Sequence, residues 1–189
     1  MKKTGLWAAT LLVCCVLLAA CSPALNWRTI QLKDAPLQAL LPCDAQTASR
    51  PVELGLGLGQ VPLSVVGCEA QGATYAVSHF AVAEPARAAE ALTFWQQAVL
   101  VQLKSAGGVA TRLDAKGDGP WVPKGTLNLP QSLRMTFEGL GPRGQKVVGH
   151  GLWFARLEGS GARVYHAVIY ADKLRSAEAE MFFSGLQLQ

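Results

Sequence analysis

Three histidines, His79, His150 and His166, are the residues in this chain best suited to hold a metal or move a proton. Each sits in an apolar run: His79 follows Tyr75 and Val77, His150 lies between Val148 and Leu152, and His166 between Val164 and Val168. On adjacent strands the three could form a three-histidine metal site. No H-x-H or H-x-x-x-H spacing supports one, and hydrogen-bonded structural histidines are the favoured reading, with no metal expected. Two glycine clusters imitate phosphate loops. In Gly55-Leu-Gly-Leu-Gly59, Gln60 stands where the last glycine of G-x-G-x-x-G belongs. In Gly139-Leu-Gly-Pro-Arg-Gly-Gln-Lys146, Gln145 separates Gly144 from Lys146. Both read as hairpins that open no helix, so no nucleotide or other cofactor is expected. No G-x-S-x-G is present, which removes a nucleophile elbow. Trp121, between Gly-Pro and Val-Pro, puts an amphipathic ring on an irregular loop, a candidate contact for a ligand or partner. The alternative, a ring folded back as a lid over the core, agrees better with how well large aromatics are buried on average.

The cysteines are decided by the N-terminus. Lys2 and Lys3 precede a nearly unbroken apolar run from Gly5 to Leu18, which ends in Leu18-Ala19-Ala20-Cys21. A positive start, an apolar stretch of this length and small residues before a cleavage point read as a secretory signal peptide over residues 1–20. Gly5 to Ala20 falls short of the ~20 residues that cross a bilayer, and Pro23 would break a continuing helix. The four residues Leu18, Ala19, Ala20 and Cys21 resemble the lipobox of bacterial lipoproteins. That resemblance implies a diacylglycerol on the Cys21 thiol, cleavage before Cys21 and an acyl chain such as palmitate on the new amine. It also implies membrane attachment through this lipid. Ser22, where an Asp would retain the protein in the inner membrane, implies the periplasmic face of the outer membrane. Cys14 and Cys15 leave with the signal. Cys43 and Cys68 remain as an even pair in an oxidising compartment and are expected to form a disulfide. A metal site or a redox pair is the alternative, without the spacing that either would need.

The whole chain is 50% hydrophobic and 16% charged, which excludes a disordered chain. Loss of residues 1–20 removes two basic residues and no acidic ones, leaving 15 basic against 13 acidic. No Lys/Arg cluster survives to form the footprint that nucleic acid requires. The tether, residues 21–26, lacks the long Ser/Gly/Pro linker of a far-reaching anchor.

Residues 27–189 read as one α+β domain. Trp27 to Lys33 and Leu37 to Leu41 are expected strands, and Ala45 to Arg50 a polar loop. Val52 to Leu58, Val61 to Ala70 and Thr74 to Ala83 follow as a meander with short turns. Pro85 to Ala106 is the one long helix, with Ala88, Leu92, Trp95, Val99 and Leu103 at helical spacing and Gly107-Gly108 as its stop. Phe94 and Val101 lie on its other side. Asp114 to Thr126 is loop by composition. Ser132 to Glu138, Lys146 to Leu157 and Arg163 to Ala171 are three more strands. Arg175 to Phe183 is a short closing helix and Leu186 to Leu188 a last extended piece. Val147 to Leu157 is apolar on both faces, so that strand should be covered on both sides, with the two helices packed on an antiparallel sheet.

This order of strand pairs, long helix, loop, three-strand meander and aromatic-rich closing helix resembles the PsbP-like and DcrB-like α+β proteins, which include small bacterial lipoproteins. Phe182-Phe183-Ser184-Gly185-Leu186 stands where that family often has Phe-x-Ser-Phe, and Leu186 departs from the final Phe. The resemblance implies a fold and an envelope location, and no activity. The expected function is therefore a lipid-anchored, non-catalytic envelope protein that binds or supports another envelope component. The alternatives are a periplasmic hydrolase with dispersed catalytic residues, or a small-molecule or metal carrier using the sheet face near His150 and His166.

Overall fold

A computed structural model describes residues 25–53, 55, 59–105, 109–113, 121–140 and 145–189. Residues 1–20, read above as a signal peptide, lie outside the described residues, as do Cys21 and residues 22–24. Strands β1 (Arg28–Gln31), β2 (Leu37–Leu41), β3 (Gln46–Glu53), β4 (Gln60–Ala70) and β5 (Ala73–Val82) lead to a 3-10 turn over Pro85–Arg87 and to helix α1 (Ala88–Ser105). Then come β6 (Val109–Leu113), β7 (Leu133–Leu140), β8 (Lys146–Glu158), β9 (Gly161–Ala171), helix α2 (Ser176–Ser184) and β10 (Gln187–Leu188). Among the described residues, no helix is long and apolar enough to cross a membrane.

Seven strands form one antiparallel sheet in the order β3-β4-β5-β9-β8-β7-β6. Two meanders, β3-β4-β5 and β6 to β9, meet where β5 pairs with β9. The turns are short because the sequence supplies the backbone they require. Between β4 and β5 only Gln71 and Gly72 intervene, both at positive φ (50° and 71°), the conformation of a type I′ hairpin. A separate antiparallel sheet in the order β1-β2-β10 joins the first strands to the last.

Side chains alternate between the two faces of the large sheet, and each face carries its own buried cluster. The first contains Tyr75, Val77, Leu152, Phe154, Tyr165 and Ile169 together with Leu37, Ala39 and Leu41 of β2 and Ala179, Phe182 and Phe183 of α2. The second contains Phe80, Val82, Phe137, Trp153, Val164 and Val168 together with Ala88, Ala91 and Leu92 of α1. Eight consecutive residues of β8, Val148 to Ala155, are buried, so neither face of that stretch meets solvent. Gly149 and Gly151 on this strand make room for rings: a Cβ on Gly149 would fall 1.8 Å from the Phe137 ring, and one on Gly151 2.6 Å from the Trp153 ring.

Three local expectations change. Residues 46–50, read as loop, are strand; β3 is an edge strand exposed along nearly its whole length, so it has no apolar alternation to betray it. Of the expected Val52 to Leu58 strand, Val52 and Glu53 belong to β3, Gly55 lies outside any strand, and residues 54 and 56–58 lie outside the described residues. Val109–Leu113 adds a strand between helix and loop. On α1, Phe94 is half-buried against the second cluster, while Val101 is 64% exposed. The Gly107-Gly108 stop lies outside the described residues.

Candidate functional site

The strand register separates the three histidines. His79 pairs with Tyr165, and His150 with Ile169, residues of the first face. His166 lies one position from Tyr165 and Ala167 and points to the opposite face. A three-histidine metal site is therefore closed to this fold, and so is a carrier surface combining His150 with His166.

His166 is wholly enclosed. Its ring stacks on Trp153 at 4.1 Å and 11°, and meets the edge of Trp95 at 5.5 Å. Burial alone pushes its pKa down to about 3, so it is a neutral member of the core. His150 is buried on the other face, with neither ring nitrogen hydrogen-bonded among the described residues. Its pKa is lowered by burial and then by Arg134, whose guanidinium lies 4.6 Å from the Phe183 ring centre and 2.7 Å from Glu180.

His79 lines a hollow. This cavity of about 150 Å³ lies between the end of β1, with Gln31, Lys33 and Asp34, and the strands that carry Thr47, Ser64 and His79. Ile30, Leu32 and Val66 supply its apolar wall. Ser64 and His79 face each other directly across the β4–β5 pair. Behind the histidine, Arg163 Nη1 donates to His79 Nδ1 at 3.0 Å, and Arg163 is itself fixed by Glu158, with Nη2 donating to Oε1 at 3.0 Å. Arginine has only donors, so Nδ1 must accept and Nε2 carries the hydrogen of the neutral ring. Burial and then Arg163 push the His79 pKa down to about 4, although Asp34 and Glu158 pull it upward.

This arrangement fixes what the histidine can do. A serine opposite a histidine is the pairing that acyl transfer needs, but there the second ring nitrogen donates to a carboxylate that steadies the imidazolium. Here that nitrogen receives a cation's hydrogen bond. Taking a proton would set imidazolium against guanidinium. His79 is thus a fixed hydrogen-bond donor at neutral pH and a poor base, in a hollow that also offers a hydroxyl, an ammonium and a carboxylate.

Cys43 and Cys68 are joined by a disulfide with their Cα atoms 5.9 Å apart, tying the end of β2 to β4. Trp121 is 43% exposed, so it is no fully buried lid, while Val122 beside it packs against the first cluster. Cys21 lies outside the described residues, as do Asp114 to Pro120 of the irregular loop. The glycine clusters connect β3 to β4 and β7 to β8, and neither leads into a helix. Ser64, Asp34, Glu158 and Arg163 carry no sequence signal: the register of β4, β5 and β9 brings Ser64 and Arg163 to His79, Glu158 arrives at the end of β8 on Arg163, and Asp34 comes from the turn after β1. No protein-family model, curated protein or solved structure matches the chain.

Proposed function

We propose that this is a lipid-anchored, non-catalytic protein of the bacterial cell envelope. In this reading it is held by acylated Cys21 at the periplasmic face of the outer membrane and binds another envelope component. The anchoring part rests on Leu18-Ala19-Ala20-Cys21. The non-catalytic part rests on one observation, the hydrogen bond from Arg163 to His79 Nδ1, which favours recognition over proton transfer in the hollow. The reading includes α1 packed on the second face and α2 on the first. The ring contact between Trp95 and Phe80 at 5.0 Å supports the former, and that between Phe182 and Tyr75 at 5.9 Å the latter. It also keeps the mature domain among the PsbP-like and DcrB-like proteins, which the order of strand pairs, long helix, meander and closing helix supports.

Two measurements test it. Cys21→Ala is expected to abolish incorporation of labelled palmitate and to leave the unprocessed precursor; an unchanged mature N-terminus defeats the anchoring. Photocrosslinkers in the envelope at Thr47, on the rim of the hollow, and at Trp121 are expected to capture a defined partner. A hydrolytic turnover of the purified protein that Ser64→Ala and His79→Ala both abolish would instead establish the hydrolase alternative.

A further inference from the structure

The anchored reading fixes more than attachment, because the chain outside the structure is short and its point of arrival is defined. Between Cys21 and Leu25 lie three residues, a reach of at most ~14 Å at ~3.5 Å per residue. At Asn26 the chain is already tied down: its N–H donates to the Pro42 carbonyl at 2.8 Å, and the next residue, Trp27, sets its ring edge-on to Tyr75 at 5.9 Å. Pro42 is bonded to Cys43, whose disulfide partner is Cys68. All these residues lie at one end of the large sheet, where Ala70 pairs with Ala73 and Ala171 with Val148.

That same end carries two exposed leucines. Leu140 closes β7 opposite Lys146 and is 47% exposed; Leu174 follows β9 and is 54% exposed. Asp172 and Lys173, beside Leu174, are exposed as well and offset each other in charge. Single exposed leucines are ordinary on a protein surface. Two of them at the end that a three-residue tether holds against the bilayer are placed to meet lipid.

We propose that this end of the sheet, with the Gln71–Gly72 turn, Leu140 and Leu174, rests on the phospholipid surface with both leucines in the interface. The inference depends on lipidation of Cys21. It sets the molecule upright. Ser64 lies six residues along β4 from Ala70, so the hollow stands about 20 Å from the lipid-facing end at ~3.4 Å per residue. The end carrying Leu157 points away from the membrane.

The test uses the full lipidated chain reconstituted in phosphatidylethanolamine/phosphatidylglycerol vesicles. Leu140→Cys, Leu174→Cys and, as a control, Leu157→Cys each carry an environment-sensitive fluorophore; all three side chains are half exposed, so the core is untouched. Nitroxide-bearing lipids are expected to quench the probes at 140 and 174 at least threefold more than the probe at 157. Equal quenching at all three positions in protein that carries its lipid overturns the proposal and leaves the anchor standing. A chain that takes up no palmitate overturns both.

Discussion

A histidine held neutral by its surroundings couples folding to pH, and this protein has three. An ordinary histidine titrates near 6.5, whereas His79 is held at about 4 and His166 at about 3, each chiefly by burial. Below 6.5 the unfolded chain binds protons that the folded protein refuses, so stability falls as the pH drops from 6.5 toward 4; above 6.5 these groups exert no slope. Urea midpoints should therefore be lower at about pH 5 than at about pH 7.5, and His166→Phe should narrow the gap. An unchanged gap in that variant would remove His166 from the effect. Arg163→Leu should raise the His79 pKa only part of the way to 6.5, because burial outranks the arginine among its causes. Imidazole resonances followed against pH by NMR would read this directly, and a fall in pKa would contradict the geometry.

At the level of elements, the parts legible in the sequence are those that bury a periodic apolar face. Leu37 to Leu41 and the long helix carry that signal: β2 alternates buried and half-buried, and Ala88, Leu92, Trp95 and Val99 of α1 all join the second cluster. Leu92→Ala should cost ~2–5 kcal/mol in urea unfolding, the usual range for a buried leucine. Val101→Ala, on the exposed side, should cost about 0.5 kcal/mol or less. Equal effects at the two positions would mean that α1 is not seated as described. β3 leaves no such signal because its side chains face water, and the surroundings of His79 leave none because register is not written in any single strand. The disulfide is legible through counting alone, on the reading that assigns Cys14 and Cys15 to a signal peptide and Cys21 to a lipid. Its loop spans 25 residues, for which chain entropy gives ~3.5 kcal/mol. Cys43→Ser/Cys68→Ser should lower the unfolding free energy by roughly that amount, and a loss below ~1 kcal/mol would leave the bond without a stabilising role.

Across the whole molecule, the small sheet binds the two ends of the chain together. β10 pairs Gln187 with Gln38 and Leu188 with Leu37, the Gln189 N–H donates to the Pro36 carbonyl, and Arg156 reaches both the Gln189 and Pro36 carbonyls. Leu186, 2% exposed, completes the first cluster from the same segment. Removal of residues 185–189 should therefore destabilise the entire domain and not merely fray one end, as a protease-resistance assay would show; a truncated chain as resistant as the full one would refute this. The arrangement also orders events in time. A chain made N-terminus first presents β1 and β2 well before β10. Until residues 185–189 follow, β2 has one edge unpaired and the first cluster lacks Leu186. The small sheet and the first cluster are therefore complete only once β10 and Leu186 have joined them.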